Sequence, residues 1–152
     1  QHSFPTRRSS DLMYATVKDF VSRIGEFQAI QLTDRDREGV VNESVLTIAL
    51  SDSTSQIDGY LSARYRLPLP TIPQNLTRIC CDLTRYRLAS MSEVTITDEI
   101  ITRYKLSLKD LEDLAAGKIS LGIDIEDEQQ SDGNVVMFTN PNNRIFGRDN
   151  RN

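Results

Sequence analysis

Tryptophan is absent from the 152 residues, histidine occurs once and cysteine twice. Each scarcity excludes a class of chemistry. The single imidazole, His2, lies in a leader that does not share the patterning of the rest. From Met13 onward there is no histidine to act as a general base or to join a metal set. The cysteines are the adjacent pair Cys80-Cys81. Neighbouring Cα atoms sit about 3.8 Å apart across a trans peptide, too close for an ordinary disulfide. Two reduced thiols are expected, one of them facing the core, in a reducing compartment. No apolar run approaches the roughly 20 residues that span a bilayer, so a non-membrane protein is expected. A glycine-rich phosphate loop is missing too, and no thiol has an evident activator. Carboxylate neighbours such as Glu112-Asp113 point apart on a helix. No enzymatic activity, catalytic residue, metal site or cofactor is expected. The net charge of −4 gives no basic excess, which disfavours a dedicated nucleic-acid binder.

What is present is helical periodicity. Val17, Phe20, Val21 and Ile24 fall on one stripe, with Thr16 as N-cap, Asp19 three residues on, and Gly25 as stop. Phe27, Ile30 and Leu32 make a second short apolar turn. A long helix is predicted from Glu43 to Tyr65, capped by Asn42. Its core stripe is Leu46, Ala49, Leu50, Ser53, Ile57, Tyr60, Leu61 and Arg64, with Asp52, Ser55, Asp58 and Ser62 opposite. Gly59 interrupts it, at a cost of about 1 kcal/mol relative to alanine. Pro68, Pro70 and Pro73 stiffen the exit, and Pro73 suits the first turn of the next helix. There Leu76, Ile79, Cys80 and Leu83 carry the stripe as far as Tyr86 or Arg87. After a polar break at residues 90–97, Ile100, Ile101, Tyr104, Leu108, Leu111, Leu114 and Ala115 mark a helix over residues 98–116, with Gly117 as C-cap. The fold class is mainly α: a small bundle of three substantial helices and one or two short ones.

Both ends depart from this pattern. Residues 1–12 read as a non-native or disordered leader, with Met13 a natural start. Residues 13–121 form the helical domain, and 122–152 an acidic linker followed by an extended or β-hairpin tail around Val135–Phe138 and Arg144–Phe146. That tail is expected to serve assembly contacts, because an isolated hairpin is marginal.

Two motifs merit weighing. In the acidic 34–45 loop, Asp34, Asp36 and Glu38 occupy positions one, three and five of an EF-hand pattern, and Gly39 is sixth. The twelfth position is Val45, where a bidentate Glu belongs. A capped turn is the preferred reading, and a calcium-tuned interaction module the rival. Three tripeptides interleave tyrosine with basic residues: Arg64-Tyr65-Arg66, Arg85-Tyr86-Arg87 and Arg103-Tyr104-Lys105. Such mixing binds nucleic acid when it lines one surface. On helices it also lets tyrosine pack at the core edge while arginine stems reach outwards. A DNA-contacting packaging or neck factor is therefore a second rival, without sequence specificity.

Several segments together resemble the family typified by gene product thirty-six of Mu-like prophages. They are Met13–Thr16, Ile30–Asp36, Gly39-Val40, Ile57–Leu61, Arg64–Leu69, Cys81–Leu88, Leu111–Lys118 and Arg144–Phe146, in that order. The resemblance spans nearly the whole chain after Met13. It implies a helical head–tail connector or neck subunit of tailed phages, assembling as a homo-oligomeric ring between portal and tail. Portal and tail-completion proteins are the implied partners, the virion neck the implied location, and neither enzymatic activity nor cofactor is implied.

Overall fold

A computed structural model describes residues 13–123. Its elements are five α-helices: α1 (Val17–Ile24), α2 (Glu26–Thr33), α3 (Glu43–Leu61), α4 (Gln74–Met91) and α5 (Asp98–Ala116). No strand occurs among the described residues. The expected hairpin tail lies outside them. By compactness the chain divides into Gln1–Leu121 and Gly122–Asn152, and all five helices belong to the first.

Local chemistry sets the helix ends. The Thr16 hydroxyl accepts the Asp19 N–H at 3.1 Å, and the Asp19 carboxylate accepts the Thr16 N–H at 2.9 Å, a reciprocal capping box. Asn42 caps α3 through the Val45 N–H at 3.1 Å, and Thr97 caps α5 through the Ile100 N–H at 3.3 Å. Gly117 closes α5 in the left-handed region at φ 79°, where a side chain would be strained and would also run into the Arg64 guanidinium. The long helix stops at Leu61, four residues before the predicted Tyr65. Its last turn tightens there, with the Arg64 and Tyr65 N–H groups both donating to the Leu61 carbonyl. Arg64 is consequently exposed rather than part of the core stripe.

Helices α3, α4 and α5 pack mutually and form the centre. The α1–α2 pair lies on α3 and α4 without touching α5. Leu46, Leu50, Ile57 and Leu61 of α3 meet Leu76, Ile79, Leu83 and Leu88 of α4 and Leu111 and Leu114 of α5, all fully buried. Phe20 completes this core from α1. On α2 the expected apolar turn is rotated: Ala29, Leu32 and Thr33 are buried, whereas Phe27 is 73% exposed. Alanine and threonine let α2 lie close to its neighbours, which the larger Phe27 would prevent.

Hydroxyls also enter the core, each with a hydrogen-bond partner. Thr84 donates to Ser53 at 2.9 Å with both residues fully buried. Ser107 donates to Asp82 at 3.1 Å, and Thr33 to the Ala29 carbonyl at 2.7 Å. Tyr14 ties the start of the described chain to two helices. Its N–H donates to Thr54 (3.3 Å), its carbonyl accepts from Thr77 (2.8 Å), and its phenol donates to Asp58. Asp58 is therefore half-buried rather than part of the solvent face.

Gly59 is exposed on α3, with nothing within 4 Å of the place where a Cβ would sit. Its helical conformation suits alanine without strain. Gly59→Ala should therefore stabilise the fold by about 0.5–1 kcal/mol, read as a higher urea midpoint with unchanged slope. A lower midpoint would show that the glycine serves the folded monomer in some other way.

Candidate functional site

The acidic loop is a closed turn. The Asp34 carboxylate accepts the N–H groups of Glu38 (2.8 Å) and Gly39 (2.7 Å), and the Thr33 hydroxyl accepts that of Asn42 (3.0 Å). With Asn42 capping α3, these bonds carry the chain from the end of α2 into the long helix. The position that would hold a bidentate carboxylate is Val45, half-buried on α3. Among the described residues no group of three or more His, Cys, Asp or Glu is placed to hold a metal ion.

The adjacent cysteines are both buried, not one of the two. The Cys80 sulfur lies 3.9 Å from the Thr54 hydroxyl. Burial pushes the Cys80 thiol up to about 11 and the Cys81 thiol to about 12. The thiolate is the reactive form, so these are inert packing thiols near neutral pH. Adjacent helical positions differ by 100°, and both are buried because α4 is covered on two sides, by α1–α2 and by α3 with α5.

The three tyrosine–basic groups do not converge. Tyr86 and Tyr104 stack on each other with ring centroids 3.9 Å apart and planes 11° off parallel, joining α4 to α5. Tyr65 is buried, and its phenol oxygen accepts the Leu121 N–H at 3.1 Å. Arg64 lies over Gly117, thirteen residues beyond Tyr104 and so about 20 Å further along α5. The cations are occupied as well. Arg85 meets Glu99 (3.5 Å) and Gln28 (3.2 Å), Arg103 meets Glu99 (3.0 Å), and Arg87 donates to Gln56 (3.0 Å). The groups act mainly as struts between helices.

Those struts outline a groove. Because α1–α2 and α5 both pack on α4 without touching each other, a channel of about 440 Å³ runs along α4 between them. Its floor carries Arg78, Cys81, Asp82 and Arg85, one wall Arg23, Ile24 and Gln28, and the other Glu99 and Arg103. Arg78 bridges Asp82 (3.2 Å) and Asp110 (2.9 Å), holding α4 to α5. The tripeptide reading finds Arg85 and Arg103 but misses Arg23 and Arg78. The spacing of Arg78, Asp82 and Arg85 at i, i+4 and i+7 is the signal for a polar stripe on α4.

Helices, cap positions and the Tyr14 junction all fall inside a family match. A model described as Bacteriophage Mu, Gp36 covers residues 14–140. The chain belongs to that family. Two Gp36-type relatives illustrate its range. The Mu-like prophage FluMu protein gp36 of Haemophilus influenzae (strain ATCC 51907 / DSM 11121 / KW20 / Rd) is 36% identical over 108 residues, covering 71% of this chain and 74% of its own. Gene product J of Escherichia phage Mu is 30% identical over 136 residues, 89% of this chain and 94% of its own. Gp36 is thus a phage and prophage family, in agreement with the resemblance drawn from the motifs. No described helix is long and apolar enough to cross a membrane.

Proposed function

We propose that this Gp36-family chain is a structural subunit of a tailed-phage head–tail connector, repeated as a ring between portal and tail and acting by shape and contact. Membership in a phage family over residues 14–140 is the observation that carries the reading. The match takes in the whole helical bundle and continues past Leu121, so the family's shared body includes part of the tail. Two further features support it. Large apolar side chains stand exposed on separate elements: Phe27 on α2, Ile48 on α3, Met91 on α4 and Leu106 on α5. A ring needs two different complementary surfaces on each subunit, and scattered anchors supply them better than one patch does. Buried unreactive thiols and arginines engaged between helices also suit a scaffold that acts without chemistry of its own.

Electron microscopy of the purified full chain, alone and with its portal protein, tests the proposal. Rings or portal-bound particles are the expected result, and a persistent monomer that ignores the portal overturns it. A chain lacking residues 132–152 should keep the helical circular-dichroism signal, since the described helices all lie before Leu121, and should be impaired in assembly with its portal. Assembly at wild-type level after that truncation would remove residues 132–152 from the scheme.

A further inference from the structure

We infer that the arginine groove along α4 is a docking site for the acidic segment 124–128 of a neighbouring copy of this chain. The inference rests on the assembly reading above and names the surfaces that join one subunit to the next.

The charge balance of the groove is its distinguishing feature. Four arginines line it, Arg23, Arg78, Arg85 and Arg103, against two lining carboxylates, Asp82 and Glu99, and a third, Asp110, that meets Arg78 from outside the lining, in a protein whose net charge is −4. Glu99 alone serves both Arg85 and Arg103, so one carboxylate is shared by two guanidiniums. The Nε of Arg85 is buried without a hydrogen-bond partner. Each guanidinium offers five N–H donors in a planar fork, and two donors match one carboxylate. The groove therefore holds spare donors and an excess of positive charge on rigid helices, where little ordering cost attends binding. Between Ile24 and Cys81 it also has an apolar strip.

The matching partner chemistry is a short peptide dense in carboxylates with an aliphatic side chain among them. The chain itself contains one: Ile123-Asp124-Ile125-Glu126-Asp127-Glu128 puts four carboxylates into five residues with no basic residue among them. In extended geometry alternate residues face opposite ways, so Ile125 can meet the apolar strip while its neighbours reach the arginines. A head-to-tail contact of this kind, groove on one subunit and acidic segment on the next, is the heterologous type that closes rings. Nucleic-acid phosphate shares the anionic chemistry. Ile24 and Cys81 in the lining offer apolar contact that an aliphatic side chain uses and a phosphate backbone does not, which favours the peptide.

The direct test titrates a fluorescent peptide of residues 122–132 into the full chain and follows anisotropy. Saturable binding is expected. It should weaken at least tenfold in an Arg23→Glu/Arg103→Glu variant and return when the peptide carries Asp124→Lys and Glu126→Lys. Both arginines are exposed, so the variant should fold, and its circular-dichroism spectrum is the check. Equal affinity of the variant, or of a peptide with its carboxylates amidated, overturns the inference. Displacement of the peptide by duplex DNA at a lower concentration than by unlabelled peptide overturns it in favour of a nucleic-acid site. The source of the segment is read by mixing Gln28→Cys and Ile125→Cys copies under mild oxidation. A disulfide between copies supports a neighbour, while a bond formed only within a chain carrying both substitutions overturns it. Cys81 lines the groove floor, so both copies also carry Cys81→Ala, while Cys80 is fully buried. Peptide binding without rings would count against the connector reading and leave the groove standing. Rings without peptide binding would do the reverse.

Discussion

Replacing Tyr14 by alanine should destabilise the protein by about 3–5 kcal/mol, the range for deleting a buried aromatic side chain. Tyr14 is 5% exposed and packs where the incoming chain meets α3 and α4. Its two backbone bonds, to Thr54 and Thr77, persist in the alanine variant only if the segment stays in place. Without the ring, the phenol bond to Asp58 is also lost and a half-buried carboxylate is left without its donor. Tyr14→Phe separates the two contributions. It keeps the ring and removes the hydroxyl, so the loss should fall to about 1–3 kcal/mol, the cost of an orphaned buried acceptor. A small domain has only about 5–15 kcal/mol in total, so the alanine variant should be partly unfolded at physiological temperature. Urea denaturation monitored by circular dichroism measures both. Equal midpoints for wild type and Tyr14→Ala would show that the segment before α1 is not part of the cooperative unit.

A steep loss of stability in alkali is the second large effect. Three groups hold their protons more tightly in the folded state, chiefly because burial penalises the charged form: Cys80, Cys81 and Tyr14. Below the ordinary thiol value of 9.0 both states are protonated and stability is unaffected. As pH rises above that, the unfolded thiols ionise while the folded ones wait until about 11 and about 12. The unfolded state then binds fewer protons, so each thiol lowers stability by about 1.4 kcal/mol per pH unit. Tyr14 adds to the decline above its ordinary value of 10.0. Urea midpoints taken under reducing conditions should be level from pH 7 to 8.5 and then collapse between pH 9 and 11. Cys81→Ala should about halve the slope just above pH 9. Midpoints unchanged at pH 10.5 would contradict the burial of both thiols.

Much of the helical scaffold is legible in the sequence. Thr16, Asp19 and Gly25 bracket α1 at the expected residues, and Asp98–Ala116 with Gly117 does the same for α5. Caps and left-handed stops are local interactions between residues a few positions apart, so a linear reading captures them. The long-helix prediction overruns at Tyr65 because that residue extends the apolar period. Its ring is buried there without continuing the helix. Phe27 misleads in the opposite sense. Hydrophobicity predicts burial, yet the close seat of α2 has room for Ala29 and Thr33 instead.

The candidate groove was only half visible. Arg85 and Arg103 stand out beside their tyrosines, but Arg23 is eighty residues from Arg103 in sequence and shares a groove with it only because both flank α4. The same holds for the buried hydroxyls. A serine at position 53 reads as tolerated polarity on a core stripe until Thr84 is placed 2.9 Å away on another helix. By itself the sequence determined a mainly helical chain of a phage family, several of its helix caps and an acidic segment over residues 124–128, all written in local spacing and composition. Only the tertiary structure decided which polar groups satisfy one another, that both cysteines are buried, and that four arginines from three helices share one channel. Those outcomes depend on how α1–α2 and α5 flank α4. Contact across a helix arises from packing between elements, and no periodicity within one element encodes it.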